Sequence, residues 1–187
     1  MSFTPALVNR IDRNTSGIII AAKNAEALRI LNEKLKNREL HKLYLCVVIG
    51  TPKQKEGLLR DYLQKNDQQN KVYVSDKKLQ DSKEISTKYK VLASKKGLSL
   101  VEIELLTGRT HQIRAHMSSL GHPLLGDGKY GTNEQNKKFG GYKKQFLYSY
   151  KLVFDFSTDA GILNYLNNKE FEVEDVWFKT AFLNGDL

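Results

Sequence analysis

The sequence lacks what several large classes of protein need. Cysteine occurs once, as Cys46, which excludes an intramolecular disulfide framework and a zinc site built from several thiolates. No apolar run approaches the roughly 18 residues needed to cross a bilayer, and no signal-peptide pattern follows Met1. The four histidines are scattered without metal-ligand spacing. We therefore predict a cytoplasmic protein with no membrane partner and no metal.

A nucleotide-binding loop is also missing. The stretch 126–131 contains three glycines but not the G-x-x-x-x-G-K-[ST] pattern that cradles phosphates. We therefore predict no cofactor. Cys46 lies in the apolar stretch 43–49, where a thiol is more typical of a small packing residue than of a nucleophile.

What the chain has in excess is positive charge. Its 187 residues suit one domain, 1–187, with 40% hydrophobic and 27% charged residues. The balance of 30 Lys and Arg against 21 Asp and Glu gives a net charge of +9. Such a balance favours an anionic partner, most often nucleic acid. A basic surface without a partner is the alternative reading.

The patterning predicts many strands and few helices. Strands are predicted over 17–22, 42–49, 85–93, 98–106 and 146–156, with a hairpin in 57–81 and pairing of 163–173 through the turn Asn167-Asn168. Helices are predicted over 25–37 with Asn24 as the N-cap, over 109–120 and over 175–183, and low order over 132–144. The fold class is therefore α+β, a largely antiparallel, mixed β-sheet with flanking helices.

The stretch N-R-I-D-R-N-T-S-G, residues 9–17, is the first that could carry chemistry. Asp12 lies between Arg10 and Arg13 in a polar turn that enters an apolar run. Flanking cations favour an ionised carboxylate, and a buried strand would fix its position. A surface ion pair before a strand is the alternative. The second stretch is T-G-R-T-H-Q-I-R, residues 107–114.

Together the two stretches resemble the RluA-type pseudouridine synthases. That family carries an H-R-L-D-x-x-T-S-G signature and a later T-G-R-x-H-Q-I-R segment. Here Asn9 replaces the usual His, which puts a role for that side chain in doubt, and Ile11 replaces Leu. The resemblance runs from about Pro5 to about Phe156. It implies the fold of the pseudouridine synthase catalytic domain, with an RNA-binding cleft, no cofactor and a monomeric state.

Family members usually have an earlier part of the catalytic domain with a K-P-x-G-type segment, and many have an N-terminal RNA-binding domain. Neither precedes the aspartate motif here, so we expect the chain to be truncated at its N-terminus.

The resemblance assigns roles to three residues. Asp12 matches the catalytic aspartate. Arg109, after Gly108 at a predicted strand-to-helix junction, is mapped onto the active-site arginine and is expected to pair with Asp12. An arginine that merely starts a helix would oppose the helix dipole. Tyr44, in the family's K-x-Y position, could stack on a flipped uracil and assist proton removal, although a strand tyrosine is usually a packing residue.

Further residues are predicted to contact RNA around the cleft: Arg10, Arg13, Thr15, Lys42, His111, Gln112 and Arg114. The function implied is an RNA pseudouridine synthase that isomerises specific uridines of ribosomal or transfer RNA through a catalytic aspartate. Two alternatives stay open. One is a noncatalytic RNA-binding module that retains the fold. The other is a glycoside hydrolase, which would need a paired carboxylate that neither motif supplies.

Overall fold

One large antiparallel sheet forms the centre of the protein. The structure, a computed structural model, describes residues 3–187. Within this range the strands are β1 (Ala6–Leu7), β2 (Ser16–Gly17), β3 (Ala21–Ala22), β4 (Leu40–Ile49), β5 (Glu56–Asn66), β6 (Lys71–Ser75), β7 (Lys83–Lys95), β8 (Leu98–Leu105), β9 (Leu147–Phe154) and β10 (Glu170–Glu172). The helices are α1 (Ala25–Lys36), α2 (Gln112–Ser119), α3 (Asn133–Lys138) and α4 (Lys179–Asn184), with a 3-10 helix at Gly161–Leu166.

The main sheet has the strand order β10-β9-β4-β8-β7-β5-β6, and each neighbouring pair is antiparallel. The short strand β2 adds to it by pairing parallel to β9. The predicted α+β class with a largely antiparallel, mixed sheet is therefore confirmed. No helix in the described range is long and apolar enough to span a membrane.

The central strand β4 is buried on both faces. Tyr44, Cys46 and Val48 pack with residues of α2 such as Ile113 and Met117. Leu45 and Val47 point the other way, into a cluster that includes Phe178 and Phe182 from the C-terminal end. Burial raises the pKa of the Cys46 thiol, which has no exposed surface. Cys46 is therefore a packing residue, as its apolar surroundings predicted.

Helix α1 forms where its pattern predicted. The side chain of Asn24 accepts a hydrogen bond from the backbone N–H of Ala27 at 2.8 Å, which satisfies one of the free donors of the first turn. Ala27, Ile30 and Leu31 are buried on one face and pack against the ends of β4 and β9. The hairpin β5–β6 and the strands β7 and β8 are likewise confirmed.

The continuous buried strand predicted over 17–22 is wrong. Two short strands, β2 and β3, replace it, and Ile19 between them is 47% exposed. Gly17 has a φ of 124°, and a Cβ there would lie 2.1 Å from the carbonyl oxygen of Ser149. The chain bends at this glycine because β2 approaches the backbone of β9 so closely. An apolar run alone does not reveal that contact.

Helix α2 begins at Gln112 and not at Arg109, because His111 has a left-handed φ of 54°. The C-terminal helix starts at Lys179, since the preceding residues Val176 and Phe178 are buried in the core instead.

Two other expectations near the C-terminal end also change. In the stretch 163–173 only Glu170–Glu172 is a strand, which pairs with β9, and the start of the stretch is the 3-10 helix. In the stretch 132–144 the structure has helix α3, because Thr132 and Gln135 form a reciprocal capping box at its first turn.

A buried ion pair fixes the end of α1. The Nζ of Lys34 lies 3.2 Å from Glu39 Oε2, and both side chains are at most 4% exposed. Glu39 also accepts hydrogen bonds from the backbone N–H groups of Ser157 and Thr158, at 2.6 and 2.7 Å. Burial raises the pKa of Glu39, but the hydrogen bonds from Thr158, Ser157 and Lys34 outweigh it and lower the pKa to about 2. The pair therefore joins α1 to the segment that follows β9.

We expect Glu39→Gln to reduce the free energy of unfolding by about 3 kcal/mol at neutral pH, because Lys34 is left buried without its counter-charge. The stabilisation is present above the unfolded pKa of about 4.3 and is lost as the pH falls towards the folded pKa. Thermal unfolding followed by circular dichroism between pH 7 and 3 measures both effects. The melting temperature of wild type should fall more steeply below pH 4.5 than that of the variant.

Glu134→Gln is the control, since the Glu134 side chain is 85% exposed and lies 3.9 Å from Lys138. It should change stability by less than about 0.5 kcal/mol. Equal pH slopes for wild type and Glu39→Gln would show that the buried carboxylate contributes nothing.

Candidate active site

A cleft of about 760 Å³ opens beside the Asp12 turn. Its walls come from that turn, from the end of α1 and the start of β4, and from the segment 104–113. Six cationic side chains line it: Arg10, Lys36, Arg38, Lys42, Lys88 and Arg109. The carboxylates among the lining residues are those of Asp12 and Glu104, and Glu104 is hydrogen-bonded to His41 at 2.8 Å. The cleft is therefore basic and suited to a polyanion.

The Asp12 turn is held by one hydrogen bond within it and by others from outside it. The backbone N–H of Thr15 donates to the carbonyl of Asp12 at 3.0 Å, and the Gln145 side chain donates to the carbonyl of Arg13 and to the Thr15 hydroxyl. Asn9 accepts a hydrogen bond from the backbone N–H of Ile20 at 2.8 Å. Asn9, which differs from the family's His, therefore closes the loop that carries Asp12.

The cation in ion-pair contact with Asp12 is Arg114, whose Nη1 lies 3.6 Å from Asp12 Oδ2. The expected partner, Arg109, is instead exposed in the wall of the cleft, so the predicted Asp12–Arg109 pair is corrected. The physical reason is the late start of α2. Arg109 lies in the preceding loop, whereas Arg114 is buried in the first turn of the helix, against the Asp12 turn.

A second carboxylate holds Arg114. The Nε and Nη2 of Arg114 donate to the two oxygens of Asp127 at 2.7 and 2.9 Å, and the side chain of Asp127 is fully buried. Burial raises the pKa of Asp127, but the hydrogen bond and charge of Arg114 outweigh it, so that the pKa is lowered. Burial lowers the pKa of Arg114, but the hydrogen bond and the charge of Asp127 outweigh it, so that the pKa of Arg114 is raised.

Sequence reasoning missed Asp127. It lies in the stretch 126–131, which was considered only for a nucleotide-binding pattern. The available signal was an acidic residue between two glycines, a few residues after a helix that begins within the arginine-containing motif. That signal does not identify the partner, because the pairing joins residues from two different elements.

Tyr44 lies at the floor of the cleft and is 4% exposed. A register shift between Leu43 and Tyr44, where β4 pairs with β9, locally bends the strand at this position. Burial raises the pKa of Tyr44, a hydrogen bond with Ser149 lowers it, and the charge of Asp12 raises it further. The phenol of Tyr44 therefore stays protonated at neutral pH and interacts electrostatically with the Asp12 carboxylate.

Gln112 is a clamp for the loop before α2. Its Oε1 accepts hydrogen bonds from the Thr107 hydroxyl at 2.9 Å and from the backbone N–H of Arg109 at 3.0 Å. Its Nε2 donates to Ser86 and Thr87 on β7, each at 3.0 Å. With the side chain 2% exposed and all its groups engaged, Gln112 positions the cleft wall rather than presenting a free amide to RNA.

His111 and Lys42 face the cleft more directly. The Nδ1 of His111 is 2.9 Å from the Tyr130 hydroxyl, and burial lowers the pKa of His111 while the charge of Asp12 opposes this. Burial also lowers the pKa of Lys42. A Cβ on Gly108 would approach Lys42 Nζ to 3.3 Å, so a glycine there leaves room for the ammonium.

The structure thus brings most of the predicted site residues to one cleft. Those that line it are Arg10, Asp12, Thr15, Lys42, Tyr44, Arg109, His111 and Gln112. Arg114 contacts Asp12 from behind and is not among the residues that line the cleft. Arg13 is exposed in the turn and also outside that set, so the structure does not join it to the others.

The arrangement is suited to covalent or acid–base chemistry by a carboxylate. Asp12 is 21% exposed, so its carboxylate can meet a ligand while Arg114 supplies positive charge behind it. Tyr44 lies beside Asp12 at the floor of the cleft, and the surrounding cations suit phosphate groups.

Comparison with known proteins agrees with this geometry. A family model described as RNA pseudouridylate synthase matches residues 2–119. An uncharacterized RNA pseudouridine synthase of Mycoplasma genitalium is 40% identical over 156 residues, which cover 82% of this chain and 48% of that protein. Ribosomal large subunit pseudouridine synthase D of Borreliella burgdorferi is 35% identical over 153 residues, or 81% of this chain and 45% of that protein. The chain spans about half the length of these curated relatives.

Two solved structures share the fold. Human RNA pseudouridylate synthase domain containing 1 superposes with a TM-score of 0.70 at 25% identity, covering 83% of this chain and 66% of that chain. Human RNA pseudouridylate synthase domain containing 4 gives a TM-score of 0.75 at 21% identity, covering 98% of this chain and 76% of that chain. The second likeness concerns the fold alone.

We expect Gln112→Leu to lower the free energy of unfolding by about 2–3 kcal/mol, because it removes four hydrogen bonds and leaves buried partners on β7 and in the loop unsatisfied. Urea denaturation measures the loss. Gln64→Leu is the matched control, since Gln64 makes one exposed hydrogen bond of 3.4 Å on β5. It should change stability by less than about 0.5 kcal/mol. Equal losses for the two variants would contradict the clamp.

Proposed function

The chain belongs to the RNA pseudouridylate synthase family, and we propose that it isomerises uridine in RNA to pseudouridine with Asp12 as the catalytic carboxylate. The family membership predicted from the two motifs is confirmed by the match over residues 2–119. The observation that carries the proposal is the placement of Asp12 in a basic cleft, with Arg114 behind it and Tyr44 at the floor. These residues meet from three separate parts of the chain.

The reaction breaks the N1–C1′ bond of uridine, turns the detached uracil, and joins C5 to C1′. C5 loses its proton and N1 takes one up, so the product is an isomer. Asp12 either attacks C1′ or takes a ribose proton to form a glycal-like intermediate, and both routes use an ionised carboxylate. Arg114 supplies a permanent positive charge beside it. The reaction is an isomerisation, so it needs no net input of electrons or energy.

The target base must leave the RNA stack to reach Asp12. We propose that Tyr44, at the floor of the cleft, stacks on the extruded uracil and that its hydroxyl assists removal of the C5 proton. Arg10, Lys42 and Arg109 line the cleft and would bind flanking phosphates. This gives Arg109 a role in RNA binding in place of the pairing with Asp12.

Ribosomal RNA is the substrate to test first, with transfer RNA second. Curated relatives at 35% and 34% identity are named ribosomal large subunit pseudouridine synthases D and C. The net charge of +9 and the six cations of the cleft support binding of a nucleic acid of either kind. We propose that the protein acts in the cytoplasm as a monomer.

The alternatives explain less of the site. A noncatalytic RNA-binding module has no use for a carboxylate facing phosphates in a basic cleft. A glycoside hydrolase needs a second carboxylate free to act on the substrate. Among the described acids near Asp12, Asp127 is fully buried and paired with Arg114, and Glu104 is hydrogen-bonded to His41. Neither carboxylate is therefore free to act on a substrate.

We expect Asp12→Asn to abolish isomerisation and to leave RNA binding nearly unchanged, because the amide keeps the shape of the side chain but cannot act as nucleophile or base. Tritium release from transcripts labelled at C5 of uridine measures the reaction, and filter binding measures affinity. Asp67→Asn is the control, since the Asp67 side chain is 80% exposed in the β5–β6 turn. Full tritium release by Asp12→Asn would refute the assignment.

We expect Tyr44→Phe to slow the reaction by about 10²-fold or more at unchanged RNA affinity, because the ring remains for stacking while the hydroxyl is lost. Tyr44→Leu should weaken binding as well, since it removes the ring. Single-turnover tritium release at saturating RNA separates the two effects. Wild-type rates in Tyr44→Phe would limit Tyr44 to stacking.

A further inference from the structure

We infer that Asp127 is a positioning residue that holds Arg114 back from a direct hydrogen bond with Asp12, so that the Asp12 oxygens stay free for the substrate. The inference rests on the proposed function, because it concerns the same reaction. It adds a residue outside both sequence motifs to the residues that the reaction depends on.

The distances show that Arg114 is shared unequally. Its Nε and Nη2 contact Asp127 at 2.7 and 2.9 Å, whereas its Nη1 stays 3.6 Å from Asp12. The first two are bidentate, charge-assisted hydrogen bonds, and the third is an ion-pair contact beyond hydrogen-bond length. Asp12 therefore receives the charge of the guanidinium without a short hydrogen bond from it.

Asp127 can hold Arg114 because its own position is fixed. Its Oδ1 also accepts hydrogen bonds from the backbone N–H groups of Lys129 and Tyr130, at 2.9 and 3.1 Å. Asn136 accepts from the backbone N–H of Gly126 at 2.8 Å and thereby anchors the same turn to α3. A Cβ on Gly126 would lie 2.0 Å from the carbonyl oxygen of Lys144, so the turn is also packed closely against the chain before β9.

Arg114 is restrained from its other side as well. Its guanidinium lies 5.1 Å from the centre of the Tyr130 ring, over the ring face. Tyr130 is in turn bonded through its hydroxyl to His111 and to the backbone N–H of Val72. A planar guanidinium fixed along one edge by Asp127 and across its face by Tyr130 has little freedom to rotate towards Asp12.

The restraint matters because Asp12 must exchange its partners during the reaction. A carboxylate bound by two short hydrogen bonds to an arginine would have to break them before it could attack C1′ or take a proton. At 3.6 Å the electrostatic benefit is largely kept, whereas the lone pairs remain available. Removing the negative charge of Asp127 should let Arg114 move onto Asp12 and occupy those oxygens.

The first test compares Asp127→Asn with wild type in steady-state tritium release. We expect kcat to fall at least about tenfold and KM for RNA to change by less than about twofold, because a step after binding is impaired. Asp127→Glu restores a carboxylate and should recover part of kcat. A general packing defect would not be rescued by the longer acid. Wild-type kcat in Asp127→Asn would overturn the inference.

The second test does not need activity. In a crystal structure of Asp127→Asn we expect a guanidinium nitrogen of Arg114 to approach an Asp12 oxygen to within about 2.9 Å. If that distance stays near the wild-type 3.6 Å, the restraint by Asp127 is refuted. This result decides the inference even if wild type releases no tritium, an outcome that would contradict the proposed function alone.

Glu102→Gln is the matched control for both tests. Glu102 is a partly buried acid on β8 that accepts a hydrogen bond from the Tyr150 hydroxyl, on the sheet face away from α2. Like Asp127→Asn, the Glu102→Gln substitution replaces a carboxylate by an amide of the same size and removes one negative charge. Its kcat and its Asp12–Arg114 distance should match wild type, and an equal fall in kcat would assign the effect of Asp127→Asn to lost stability.

Discussion

The site depends on one buried guanidinium shared by two carboxylates. Removing Arg114 from water is unfavourable, and the fully buried carboxylate of Asp127 offsets that loss through two short hydrogen bonds. The pair constrains the fold, because it fixes the first turn of α2 against the turn that carries Asp127. That turn follows Leu124, which forms a β-bridge with Val48 of β4. Asp12 then comes to this fixed charge from a third part of the chain. The loop that carries it is held by the hydrogen bond between Asn9 and Ile20 and by Gln145.

The arginine in contact with Asp12 shows how far sequence reasoning reaches. The two motifs correctly predicted which segments would meet. Arg109 was chosen as the partner because the resemblance maps it onto the active-site arginine, at a position where a helix was expected to start. The helix starts at Gln112 because His111 is left-handed and the Gln112 side chain bonds back to the loop. Which of two arginines in one motif turns towards Asp12 is thus decided by a side-chain hydrogen bond, which periodicity does not report.

The same limit explains the other differences. The strands β7 and β8 form where their local pattern predicted them, and the first half of β8 is buried on both faces. The run that follows Gly17 breaks because its backbone lies against Ser149, more than a hundred residues later. Asp127 was missed for a related reason. Its turn has no repeating pattern, and its importance comes from a partner thirteen positions earlier on a helix.

Under the proposed function, the charge count of the site links catalysis to RNA binding. Asp12 and Asp127 carry two negative charges against the one positive charge of Arg114, so the group as a whole is anionic. RNA would bring further negative charge next to it, and an isolated anionic site would repel that substrate. The six lysine and arginine side chains in the cleft offset this repulsion. Because Asp127 uses much of the hydrogen-bonding capacity of Arg114, these six cations are the ones available to the phosphates. Under the proposed function, the basic cleft is therefore needed to keep the Asp12 carboxylate free for the reaction as well as to bind RNA.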